Sequence, residues 1–172
     1  MKSIHLILGG AKSGKSRFAE NKAIEMTSTT TPLIYIATAT ALDEEMGARI
    51  EHHQSNRSNR WQLIEEPVEL GQQLASLPQP SVVLVDCLTL WLNNCLSLNK
   101  SEWLKQKKRL FDVLRNNSHS LYFVSNEVGL GVIPMGKLSR DFVDEIGILH
   151  QELAVLANSV TMMVAGIPQT IK

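Results

Sequence analysis

A short apolar run that breaks straight into a glycine-rich octet constrains this chain more than any other feature. Residues 4–8 read Ile-His-Leu-Ile-Leu, and the octet Gly9, Gly10, Ala11, Lys12, Ser13, Gly14, Lys15 and Ser16 satisfies G-x-x-x-x-G-K-[ST]. A helical pattern follows at once, so the motif has the strand–loop–helix context that a phosphate-binding P-loop requires. Glycines let the backbone wrap so that successive N–H groups converge on phosphate oxygens. The helix N-terminus adds unpaired N–H groups and partial positive charge. Lys15 is placed to reach the β- and γ-phosphates, and the Ser16 hydroxyl to complete a magnesium shell.

A P-loop works with a second acidic group on the metal side. Residues 82–85 are Val-Val-Leu-Val and end in Asp86. Ligands of open α/β sheets bind at the C-terminal ends of strands, so Asp86 is the candidate magnesium-side carboxylate, together with Ser16. Further apolar runs at 33–37, 121–124 and 160–164 bring the predicted strands to five. Their continuous rather than alternating apolarity predicts a parallel sheet buried on both faces. Helices are predicted over 15–26, 42–54, 68–77, 103–115 and 138–158, with connections at 27–32 and 78–81. The expected fold is an α/β P-loop NTPase with a mainly parallel central sheet flanked by helices. Residues 1–172 are expected to form one domain, without repeats or low-complexity tails.

Composition narrows the function classes. Seventeen basic residues balance seventeen acidic ones over 172 residues, which argues against a broad nucleic-acid or anionic-membrane surface. The cluster Lys105, Lys107, Lys108 and Arg109 falls on an amphipathic helix without aromatic interleaving and reads as a solvated face. Cys87 and Cys95 form no CxxC pair and have no zinc-ligand spacing, so buried free thiols are expected. The N-terminal apolar run ends at Gly9, too short for a signal peptide, and no stretch approaches the roughly 20 apolar residues of a membrane span. A cytoplasmic location is expected.

The second unusual feature is the run from Asp43 to Gln54, DEEMGARIEHHQ. At about 100° per residue, Leu42, Met46, Arg49, Ile50 and His53 share one side of a helix while His52 falls off it. A histidine so placed is either a satisfied core residue or a nucleophile. Neutral imidazole attacks an α-phosphate to form a phosphoramidate, which splits one transfer into two displacements. Spacing alone leaves both readings open. Asn126 and Glu127, after the run at 121–124, similarly read either as active-edge residues or as a polar turn.

The segments GGAKSGKSRFAE, YIATA, LDEEMGARIEHHQSNR with Trp61 and Glu65, VLVDCLTLWLNN, VSNEVGLGVIP and SRDFVDEIGILHQELA together resemble one enzyme family across essentially the whole chain. The chain is similar to the bifunctional adenosylcobinamide kinase/adenosylcobinamide-phosphate guanylyltransferases of cobalamin biosynthesis. The P-loop is widely shared, whereas its combination with R-I-x-H-H and N-E-V-G-x-G is specific.

The resemblance implies a RecA-like core, a homotrimer and two reactions. ATP or GTP phosphorylates the aminopropanol hydroxyl of adenosylcobinamide. GTP then guanylylates an enzyme histidine with release of pyrophosphate, and the phosphorylated corrinoid takes GMP to give adenosylcobinamide-GDP. Residue by residue, the P-loop holds triphosphate, and Ala37, Thr38 and Ala39 match a nucleotide-contacting segment. His53 matches the guanylylated histidine, and Gln54, Ser55, Asn56 and Arg57 match further nucleotide contacts. Glu65 and Asp86 match two acidic nucleotide-site positions. Two departures, the short segment 93–103 and His150 in place of Asn in a G-x-x-N-Q pattern, leave the corrinoid contacts undefined. The rival expectations are a monofunctional small-molecule P-loop kinase and a nucleotide-switch or ATPase subunit. The latter wants a switch segment and a water-positioning group that the sequence does not display.

Overall fold

The structure is a computed structural model that describes residues 2–28, 30–39 and 60–172. The helix predicted over 42–54 lies outside the described residues. Seven strands are described: β1 (Ser3–Gly9), β2 (Leu33–Ala37), β3 (Gln62–Glu65), β4 (Val82–Asp86), β5 (Ser120–Asn126), β6 (Ser159–Val164) and β7 (Ile167–Thr170). They form a single sheet in the order β3-β2-β4-β5-β1-β6-β7. All pairings are parallel except that of β7 with β6. Each predicted strand coincides with one of these, and β3 and β7 are additional.

The described helices are α1 (Lys15–Glu25), α2 (Leu70–Ser76), α3 (Leu88–Leu98), α4 (Lys100–Arg115) and α5 (Lys137–Leu156). α3 was not expected, and α4 begins three residues before its predicted start. The reason for the earlier start is local. The Asn99 side chain accepts a hydrogen bond from the Glu102 backbone N–H at 2.8 Å, capping the first turn.

Alternation along the strands divides the core between the two faces of the sheet. Ile4, Leu6, Ile34, Ile36, Val83, Val85, Leu121 and Phe123 pack with Leu70, Leu74, Trp91, Trp103, Leu110, Leu149 and Leu153 from α2 to α5. On the other face Ile7, Tyr35, Leu84, Tyr122 and Val124 meet Ala19 and Ala23 of α1. Full burial of each large apolar side chain is worth about 1.5–3 kcal/mol, so this two-sided burial commits the central strands to the middle of the sheet.

Strand register then sets the working edge. Ala37 is level with both Asp86 and Glu65, and Gly9 is level with both Asn126 and Met163. The C-terminal ends of β1 to β5 therefore share one edge. The connection from β1 leads past β5 and β4 to β2, whereas that from the adjacent β5 leads through α5 past β1 to β6, so the connections of these two neighbouring strands run in opposite directions. That is the place where open α/β sheets bind ligands.

Candidate nucleotide site

Residues 9–16 bridge β1 and α1. Gly9 has φ +152° and Gly14 +92°, backbone conformations that glycine supplies without steric cost, and Lys12 between them also has a positive φ of +54°. At Gly9 space is also decisive, since a Cβ there would lie 2.6 Å from the Met163 carbonyl oxygen and 2.7 Å from Ser13 Oγ. The loop is braced from two sides. Ser13 N–H donates to the Gly10 carbonyl at 3.3 Å, and Gly166 N–H in the β6–β7 turn donates to the Ser13 carbonyl at 3.1 Å. α1 starts as Phe18 N–H donates to the Gly14 carbonyl at 3.0 Å. The N–H groups of its first turn are left for an anion.

Lys15 is buried, and its ammonium donates to the Gly10 carbonyl at 2.5 Å. Burial lowers its pKa from the usual lysine value, against which the neighbouring Asp86 carboxylate acts first and the Cys87 thiol second. A buried ammonium resting on a loop carbonyl is available to exchange that carbonyl for a phosphate oxygen. The Ser13 hydroxyl is buried and has no hydrogen-bond partner among the described residues. An orphaned hydroxyl inside a loop of this shape fits an anion with acceptor oxygens.

Asp86 closes β4 on the same edge. Tyr35 Oη donates to Asp86 Oδ2 at 2.6 Å, which fixes the carboxylate and leaves Oδ1 as an oxygen ligand. One carboxylate and one hydroxyl, Asp86 and Ser16, suit magnesium, which retains water and takes its remaining ligands from substrate phosphates. The described residues hold no cluster of three or more His, Cys, Asp or Glu side chains of metal-binding geometry.

Thr38 is fully buried and knots the edge together. Its N–H donates to the Asp86 carbonyl at 3.0 Å. Its hydroxyl donates to the Cys87 carbonyl at 2.7 Å and accepts from the Cys87 N–H at 2.8 Å. Asn94 Nδ2 donates to the Thr38 carbonyl at 2.8 Å and to the Pro67 carbonyl at 3.1 Å. Thr38 thus spends its N–H and hydroxyl on backbone and its carbonyl on Asn94, while Ala37 and Ala39 on either side are partly exposed. Glu65 is exposed at the end of β3, level with Ala37. His53, Gln54, Ser55, Asn56 and Arg57 lie outside the described residues.

Two groups at this edge escape a reading of the sequence. Tyr35 looks like an ordinary strand aromatic until pairing sets it beside Asp86. Asn94 sits in a helix that the apolar pattern hid. Elsewhere, the basic cluster of α4 is paired: Lys107 with Glu152 at 2.7 Å, Lys108 with Asp112 at 2.5 Å, Lys105 with Glu102 at 3.1 Å and Arg109 with Glu69 at 3.5 Å. Lys105, Lys108 and Arg109 agree with a solvated face, whereas Lys107 is only 14% exposed and lies over the Trp103 ring. Cys87 and Cys95 are free and buried, and burial pushes their thiols up to about 11 and about 12. Neither is a nucleophile near neutral pH.

Comparison with known proteins agrees with this geometry. The chain superposes on an ATPase from the type III secretion system of pathogenic bacteria with a TM-score of 0.57 at 9% identity, covering 98% of this chain and 56% of that one. At that identity the likeness concerns fold alone, and the fold is that of a RecA-like P-loop ATPase. The bifunctional adenosylcobalamin biosynthesis protein CobP of Pseudomonas aeruginosa is 46% identical over 169 residues, covering 97% of this chain and 96% of its own. The bifunctional adenosylcobalamin biosynthesis protein CobU of Escherichia coli K12 is 35% identical over 182 residues, covering 97% and 98%. The pattern described as cobinamide kinase / cobinamide phosphate guanyltransferase matches residues 5–171. This chain belongs to the cobinamide kinase / cobinamide phosphate guanyltransferase family.

Proposed function

We propose that this chain phosphorylates adenosylcobinamide with ATP or GTP and then transfers GMP from GTP, through a covalent guanylyl-histidine at His53, to give adenosylcobinamide-GDP and pyrophosphate. The observation that carries this reading is the P-loop at the C-terminal sheet edge, with Lys15 beside Asp86, in a chain of this family. In the first reaction Lys15 and the N–H groups of the loop hold the β- and γ-phosphates while charge moves toward the leaving diphosphate. In the second, the same loop retains pyrophosphate while the neutral His53 imidazole attacks the α-phosphorus. The phosphate oxygen of the corrinoid then displaces His53 and takes the guanylyl group.

Ser16 and the free oxygen of Asp86 would hold magnesium, which lends charge stabilisation to the phosphates. Glu65, Gln54, Ser55, Asn56 and Arg57 complete the nucleotide site in this reading, and residues 1–172 work as one domain. A homotrimer is supported by an apolar segment that runs from the β5–α5 connection into the first turn of α5, where Leu130, Val132, Ile133, Met135 and Leu138 are strongly exposed. Light scattering is expected to give three times the 19.1 kDa chain mass; a monomer would exclude the trimer. Among the described residues no helix is long and apolar enough to cross a membrane, in keeping with a cytoplasmic enzyme.

The test is mass spectrometry of the corrinoid after incubation with adenosylcobinamide, GTP and magnesium. Conversion first to the phosphate and then to the GDP derivative is expected, and Lys15→Ala should abolish both. An unchanged corrinoid with the wild-type protein would contradict the assignment.

A further inference from the structure

Behind the P-loop, outside the groups assigned above, runs a line of polar side chains through otherwise apolar packing. Its inner members are Thr89 on α3, Ser125 on β5 and His150 on α5, and all three are buried. Asn126 N–H donates to Thr89 Oγ1 at 2.7 Å, and the Thr89 and Ser125 hydroxyls are 3.2 Å apart. Ser125 Oγ lies 2.8 Å from His150 Nε2. The other ring nitrogen, His150 Nδ1, faces Glu127 Oε2 at 3.6 Å, an electrostatic contact slightly longer than a hydrogen bond. His150 shares its face of α5 with Ile146, Leu149 and Leu153, all buried core residues. A histidine there is costly to desolvate unless both nitrogens have partners.

The line ends on the working edge. Glu127 N–H donates to the Gly9 carbonyl at 3.0 Å, so the residue is tied by its backbone to the first P-loop glycine. Glu127 Oε1 accepts from the Gly129 N–H at 2.6 Å. Its side chain is 21% exposed, against 8% for His150. The carboxylate is thus the member of the line that reaches solvent. A carboxylate only accepts, so Nδ1 must carry the ring proton to interact favourably with it. Nε2 then accepts from Ser125 Oγ–H. Burial lowers the His150 pKa and the Glu127 charge works against that shift, in keeping with a neutral ring in this tautomer.

We infer that Glu127 is the proton acceptor for the substrate hydroxyl in the phosphoryl-transfer step, and that His150, set by Ser125, is its positioning residue. The inference rests on the kinase reading given above. In that step the acceptor O–H bond breaks and its proton passes to the Glu127 carboxylate. The acceptor oxygen bonds to the γ-phosphorus, and the P–O bond to the β-phosphate breaks with its electron pair leaving on the nucleoside diphosphate. Attack by a neutral imidazole on GTP has no hydroxyl proton to remove, so Glu127 serves one of the two chemistries.

Steady-state phosphorylation of adenosylcobinamide by the full-length protein tests this, with nucleotide affinity and thermal midpoint measured alongside. A general base contributes about a hundredfold or more, so Glu127→Gln is expected to lose about that factor in kcat with the nucleotide KM within about threefold. His150→Leu should lose about tenfold in kcat, and His150→Asn, which keeps a donor and an acceptor in one side chain, should recover most of it. Ser125→Ala repeats the His150→Leu effect with a smaller change in packing should that variant fail to fold. A Glu127→Gln kcat within about threefold of wild type, or a loss confined to KM, overturns the inference while leaving the kinase reading intact. A wild-type protein that binds nucleotide and never phosphorylates the corrinoid overturns the kinase reading and this inference with it.

Discussion

At the scale of the residue, the nucleotide edge depends on polar groups that tie one strand end to the next. Thr38 fastens the end of β2 to the turn after β4 through the Cys87 N–H and carbonyl. Replacing its hydroxyl by a methyl group leaves the Cys87 N–H buried without that partner. Thr38→Val is therefore expected to cost about 1–3 kcal/mol of stability, read by urea denaturation, and to weaken nucleotide binding because Asp86 sits next to the broken tie. Unchanged stability would show that Thr38 is not the strut described here. Of the individual residues, Lys15, Ser16 and Asp86 were legible because a motif and a strand end define them. Tyr35, Asn94 and Ser125 were not, because their roles arise from partners 51, 56 and 25 positions away in the chain.

At the scale of the element, α2 and α4 are held by close backbone approach. A Cβ on Gly71 would lie 2.8 Å from Leu110 N and 2.9 Å from the Arg109 carbonyl carbon. Backbone cannot yield as a flexible side chain does, so Gly71→Ala should destabilise by about 1–3 kcal/mol. The denaturant midpoint reads this, and an unchanged midpoint would contradict the close approach. Strands buried on both faces announced themselves through continuous apolar runs. β3 and β7 did not, since Gln62–Glu65 and Ile167–Thr170 are short, largely exposed edge strands and β7 contains Pro168. α3 was hidden for the opposite reason. Its sequence LTLWLNNCLSL alternates apolar and polar residues at both ends and follows β4 after a single residue, so no helical period stands out.

At the scale of the whole molecule, pH couples to folding through three histidines. Burial lowers the pKa of His5, His119 and His150 from the usual 6.5. The unfolded chain therefore binds more protons than the folded one once pH drops below that value. Stability from this source is full above 6.5 and falls as pH descends toward the folded-state values. The denaturant midpoint should decrease between about pH 7 and about pH 5; a constant or rising midpoint would contradict it. Incubating the protein with α-labelled GTP and magnesium tests whether one P-loop serves an α-phosphoryl as well as a γ-phosphoryl transfer. Covalent label is expected that survives mild base, is lost in acid and disappears in His53→Ala while persisting in His52→Ala. Absence of any covalent label, or label lost in His52→Ala and kept in His53→Ala, would contradict it.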